Sequence, residues 1–229
     1  MSLLTMLFGN KKQTVQIGDE LALGTYQQEG DTPTEVEWIV LHIEDGKALL
    51  ISKYALITTG YCETHLKSFK QLEWEGSLAR EMCRQFFDEC FSQNERVAIC
   101  EKKIEMSGFG KDCFDRVFLL SEAEVKEYLP SPEERKCKPT PKAKVAGALM
   151  GWTDDTRDYT SWWILPECER GGLRSLYDSD EKYNGSIYPK AVFQMGEIQF
   201  HERNIYHSDF CVRPSILVEM DKLQKILNG

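Results

Sequence analysis

At 229 residues and 26.4 kDa, with 41% hydrophobic and 28% charged residues, the chain has the composition of a globular protein with a sizeable core, arranged as one large domain or two small ones. Its 28 Lys and Arg against 37 Asp and Glu give a net charge of −9 and no basic stripe, which removes the electrostatic footprint for a phosphate backbone and, with it, nucleic acid as a partner. No stretch approaches the roughly 20 apolar residues that span a bilayer.

The chain starts with an apolar run, residues 3–8, that has no basic segment before it and no small-residue cleavage site after it. It reads as a frayed or lightly docked terminus rather than a secretory signal. Residues 36–52, VEWIVLHIEDGKALLIS, place two β-rich runs around Asp45 and Gly46, the strongest short hairpin signal in the chain. Alternation puts Trp38, Val40 and His42 on one face and Ile39, Leu41 and Ile43 on the other, both largely apolar. Residues 77–91, SLAREMCRQFFDECF, repeat apolar side chains at helical spacing behind Ser77, predicting an amphipathic helix. Three serines stand three positions before a glutamate: Ser92 with Glu95, Ser121 with Glu124, and Ser131 with Glu134. Each is a capping box in which hydroxyl and carboxylate satisfy orphan backbone donors reciprocally. Between the first two boxes, RVFLL (116–120) reads as a strand.

The basic, proline-containing segment CKPTPKAKVAG (137–147) reads as a connecting loop. Beyond it the composition turns aromatic and glycine-rich, with short strand candidates at 183–188, 191–193, 197–200 and 211–220. Helices gathered in the first half and strands in the second predict an α+β arrangement instead of alternating βαβ units. Eight cysteines occur singly with no CxxC pair, as expected of reduced thiols in a cytoplasmic protein.

Several stretches together resemble an uncharacterised bacterial domain family related to the formylglycine-generating enzyme and to C-type-lectin-like folds. They are LALGTYQQ (21–28), EWIVLHIEDGKALLISKYAL (37–56), WEGSLAREMCRQFFDECFSQNERVAI (74–99), DRVFLLSEAEVKEYL (115–129), SWW (161–163) and CVRPSILV (211–218). The resemblance implies a C-type-lectin-like domain over 17–220, between an N-terminal extension (1–16) and a C-terminal tail (221–229). Twisted antiparallel strands, two principal helices and long loops are the expected contents. The family pattern continues the twin tryptophan with Leu-Arg-Ser-Pro-Gly, where this chain has Ile164, Leu165, Pro166, Glu167 and Cys168. A Gly-Val-Arg-Pro-Ala pattern becomes Cys211, Val212, Arg213, Pro214 and Ser215, so here the arginine is kept and the glycine replaced.

A formylglycine-generating oxidase needs two thiols close enough to hold a soft metal ion. Only Cys168 and Cys211 lie in the corresponding half, outside any motif. His201, His207 and Cys211, with Asp209, have loosely zinc-like spacing but read equally as a strand and a polar loop. The carboxylates at 154, 155 and 158, and at 178, 180 and 181, follow no EF-hand order and read as solvated loop charge. GxSxG, HExxH, Walker and GxGxxG signatures are absent.

The remaining signal is Trp162 beside Trp163. In an extended segment the two indoles point to opposite faces, so one packs inside and the other meets a second layer or a loop-covered cleft. Their N–H groups require partners, from Thr160, Ser161 or loop carbonyls. An exposed ring here would stack on a sugar or peptide, with Arg157, Tyr159, Arg174 and Tyr188 as companions and the retained Arg213 as a further ligand contact. The expectation is a non-enzymatic module binding a small molecule, glycan or protein, with no catalytic residue, cofactor or metal. The alternatives are an oxidoreductase of the formylglycine-generating type and a structural protein of a larger assembly that docks through its N-terminal apolar segment.

Overall fold

The computed structural model describes residues 14–62, 73–106, 111–170, 185–200 and 209–228, with backbone alone for 167–170, 185–189 and 200. Within them the chain is mixed α/β: two main sheets, almost wholly antiparallel, with six helices around them.

The first sheet begins with β1 (Glu20–Tyr26), β2 (Thr34–Glu44) and β3 (Lys47–Ser52), consecutive antiparallel strands. The β2–β3 hairpin turns at Asp45 and Gly46, both with positive φ (47° and 71°), as a tight turn matched to the strand twist requires. The predicted alternation along β2 holds only to Val40. Val40 pairs with Leu50 while His42 pairs with Leu49, so Leu41 is an extra residue, a bulge that shifts His42 to the face opposite Trp38. Trp38, Val40 and Leu41 are buried, whereas His42 is half-buried and stacks on Tyr128, ring centroids 5.1 Å apart.

Helix α1 (Leu78–Cys90) starts where Ser77 accepts from the Arg80 N–H and buries Ala79, Cys83, Phe86 and Cys90. Phe86 lies 6.3 Å from Trp38, fixing α1 on that face of the sheet. The three capping boxes form as spaced: they open α2 (Gln93–Ala98), α3 (Glu122–Tyr128) and α4 (Pro132–Arg135). After α2, β5 (Ile99–Cys100) joins the sheet, β6 (Lys102–Ile104) and β7 (Cys113–Asp115) make a separate ribbon, and β8 (Val117–Phe118) returns to the sheet. Tyr128 against His42 places α3 on the face opposite α1.

Two expectations are corrected. Strands are not confined to the second half, since eight of the thirteen among the described residues precede residue 120; β4 to β8 are only two or three residues long, too short for period-two patterning to register. Instead of two principal helices there are six mostly short ones among the described residues, and one, α5 (Pro141–Val145), occupies the segment read as a loop. Thr140 caps it and Pro141 stands at its first position, a start signal that its low apolar content obscured.

The second sheet runs β11 (Ile198–Phe200), β10 (Gly185–Val192), β9 (Trp162–Arg170), β12 (Cys211–Val212) and β4 (Ile57–Thr58), with one parallel pair where Cys211 meets Trp162. Residues 211–220 are therefore not one strand. Pro214 lacks an N–H, and at that point the chain leaves β12 in the second sheet and enters β13 (Ser215–Glu219) in the first, between β3 and β5. The β3-to-β4 chain makes the same passage antiparallel to it: Ser52 N–H donates to Pro214 O at 2.9 Å and Leu56 N–H to Val212 O at 3.1 Å. These two crossing segments join the sheets, and one hydrophobic cluster runs from Trp38 and Phe86 to Trp163 and Phe210. Residues expected as a tail form helix α6 (Met220–Leu227), which buries Leu223.

Candidate functional site

Strand β9 is covered on both sides, and this decides the fate of the twin indoles. Trp162 and Trp163 are both fully buried. Trp162 donates to Arg135 O at the end of α4 (3.0 Å) and Trp163 to Thr59 O after β4 (2.9 Å), so loop and helix-end carbonyls serve as their partners. Trp163 packs on Phe210 (4.7 Å) and Tyr61 (5.6 Å), whereas Trp162 lies under the Arg213 guanidinium at 5.1 Å. Arg213 is itself buried at 2% exposure. Neither indole presents a stacking face to a ligand.

The sequence reading missed the exposed indole. Trp152 is 90% exposed, the one tryptophan of five at the surface. It stands on a closed loop whose ends are tied by bridging of Met150 with Thr160 and by Gly151 N–H donating to Tyr159 O at 3.1 Å. Inside the loop, the N–H groups of Thr156 and Arg157 donate to Thr153 O (3.0 and 2.8 Å), and the hydroxyls of Thr153 and Thr156 are 2.8 Å apart. Gly151 approaches Thr156 so closely that a Cβ would stand 2.3 Å from its carbonyl oxygen. The loop is thus built by its own hydrogen bonds, with Thr156 buried as its keystone. The available signal was a tryptophan outside any periodic run, between Gly151 and the turn-forming Thr153, Asp154 and Asp155.

Two predicted residues share this loop. Arg157 is exposed and pairs with Asp154 at 3.2 Å. Tyr159 is half-buried, with the ammonium groups of Lys136 and Lys138 5.5 and 5.8 Å from its ring centroid. The loop therefore combines an exposed indole, a cation-flanked phenol and charges of both signs, since Asp158 also lies 3.9 Å from Lys138. Tyr188 belongs to β10 opposite Glu167, where only backbone is described, and Arg174 lies outside the described residues, as do His201, His207 and the carboxylates at 178, 180 and 181.

Cys211 pairs in register with Trp162, while Cys168 lies six residues farther along β9, opposite Ile187. At the usual rise per residue that is about 20 Å of strand, far beyond a shared metal ion. Burial pushes the Cys211 thiol up to about 12, with the Thr160 and Thr58 hydroxyls beside it pulling the other way. A thiol so placed is not a nucleophile near neutral pH. Among the described residues no three metal-ligating side chains converge, and no helix is long and apolar enough to cross a membrane. A concavity of about 540 Å³ between β1 and α6 is lined by Val15, Leu21, Leu23, Ile226 and Leu227 with acidic residues at its edge. Its Glu95 is already engaged with the N–H groups of Gly24 and Ser92.

No curated protein and no solved structure matches the chain. A family model does, over residues 45–220, from the β2–β3 turn to the start of α6. That span contains both crossing segments, the buried indoles and the Trp152 loop, and it places this chain in the DUF6273 family, a domain of unknown function.

Proposed function

We propose that this chain is a non-enzymatic binding module on a C-type-lectin-like scaffold related to that of the formylglycine-generating enzyme, and that it recognises a glycan or peptide through the Trp152 loop. The exposure of Trp152 on a self-bonded loop carries the reading. An indole left in water forgoes its hydrophobic burial, and one held on a preformed loop costs little further entropy when a partner covers it. Arg157, Asp154 and Asp158 around it supply donors and acceptors for hydroxyls or a peptide backbone, while Tyr159 adds a second aromatic surface. Support on the scaffold side comes from the placement: the loop leads directly into β9, so its base is anchored in the second sheet.

The test is a titration of a panel of oligosaccharides and short aromatic-rich or charged peptides, followed by calorimetry and by thermal shift. Binders raise the melting temperature by mass action. Trp152→Ala is expected to weaken binding at least about thirtyfold, the loss typical of a central aromatic contact, with the melting temperature of the free protein unchanged. A ligand that binds Trp152→Ala as tightly as the parent overturns the assignment.

A further inference from the structure

The junction between the sheets contains a buried charge that makes no ion pair among the described residues. Arg213 is 2% exposed, and a guanidinium cannot shed its proton at any ordinary pH. Its Nε donates to Ser52 O at 3.0 Å and its plane lies near the Trp162 ring. Its Nη1 has no acceptor, and Arg213 makes no ion pair among the described residues. Two positions on, Ser215 is wholly buried and its hydroxyl also lacks a partner. Ser215 pairs with Ile51, the neighbour of the Ser52 carbonyl that holds Arg213, so both orphaned donors belong to the same stretch of crossover, where Pro214 supplies no N–H.

A water molecule would satisfy the hydrogen bonds but not the charge, and desolvating an unpaired guanidinium is among the costliest arrangements a protein interior can contain. We propose that the Arg213–Ser215 crossover encloses one small inorganic anion of halide size, bound by Arg213 Nη1 and the Ser215 hydroxyl. The near-complete burial of both side chains sets the size, because a carboxylate on a larger ligand would need an open approach. The ion neutralises the junction and so ties β12 and β13 to β3. This site is separate from the Trp152 loop and stands or falls independently of it.

Melting curves in potassium chloride and in potassium gluconate at one ionic strength test the proposal. The parent protein is expected to melt about 5 °C higher in chloride at a hundredfold excess over the dissociation constant, with saturation. Arg213→Met removes the charge and keeps much of the stem, and it should abolish the difference between the salts. Equal melting temperatures of the parent in both salts overturn the proposal. Should Arg213→Met fail to fold, anomalous diffraction from crystals of the parent protein grown in bromide decides: a bromide peak beside Arg213 Nη1 and the Ser215 hydroxyl supports the site, and no peak there overturns it.

Discussion

Trp152 and the pair Trp162 and Trp163 lie ten residues apart and meet opposite fates: one indole is 90% exposed, the others fully buried. The difference is in what flanks the backbone. Strand β9 has β10 on one edge and β12 on the other, with α4 contributing a carbonyl to one face and residues 59–61 and 210 closing the other. Alternating side chains therefore both find an interior. The 151–159 loop satisfies its hydrogen bonds within itself and offers no second layer, so its indole has nowhere to go but outward. Aromatic content alone says nothing about exposure; the number of layers on the backbone does.

The largest expected effect comes from breaking the buried side. Trp163→Ala removes an indole packed on Phe210 and Tyr61 and leaves the Thr59 carbonyl without its donor. A cost of about 4 kcal/mol is expected from cavity formation, read as a drop in the urea midpoint at unchanged slope. A loss under about 1 kcal/mol would mean that β9 is not the doubly covered strand described.

The same contrast explains what was legible in the sequence. The capping boxes at Ser92, Ser121 and Ser131 and the Asp45–Gly46 turn rest on interactions within three or four residues, and all formed as spaced. The opposed faces of Trp162 and Trp163 followed from strand geometry alone. What stayed hidden depended on distant partners. The bulge at Leu41 arises from its register with β3, and the division of residues 211–220 between two sheets depends on β4, β3 and β5, each brought in from far along the chain. The candidate site was half legible. Arg157 and Tyr159 share a loop with the exposed indole, but that indole is Trp152, which sits in no periodic pattern, whereas the Trp162–Trp163 doublet that marks the sequence is buried.

The exposed side is sharpened next by Gly151→Ala. The added methyl would meet the Thr156 backbone oxygen at 2.3 Å, so the loop must shift or open. Overpacking of this kind costs about 2 kcal/mol. Because Thr156 is the buried keystone, the displacement should also reduce any binding that depends on Trp152. If Gly151→Ala matches the parent in both stability and binding, the loop is not the preformed platform its hydrogen bonds imply.

Trp152→Phe should have the smallest effect on stability, within about 0.5 kcal/mol, because a surface side chain without packing partners contributes little to folding. Its spectroscopic effect should be large. Four of the five indoles are fully buried, so collisional quenching by acrylamide in the parent protein should arise almost wholly from Trp152 and give a downward-curving quenching plot. In Trp152→Phe the accessible fraction should vanish, the emission maximum should move to the blue, and the melting temperature should stay where it was. Persistent quenching in that variant would place a second indole in water, which dissolves the contrast between the two regions. Its loss on adding a ligand to the parent protein would show directly that the ligand covers the Trp152 face.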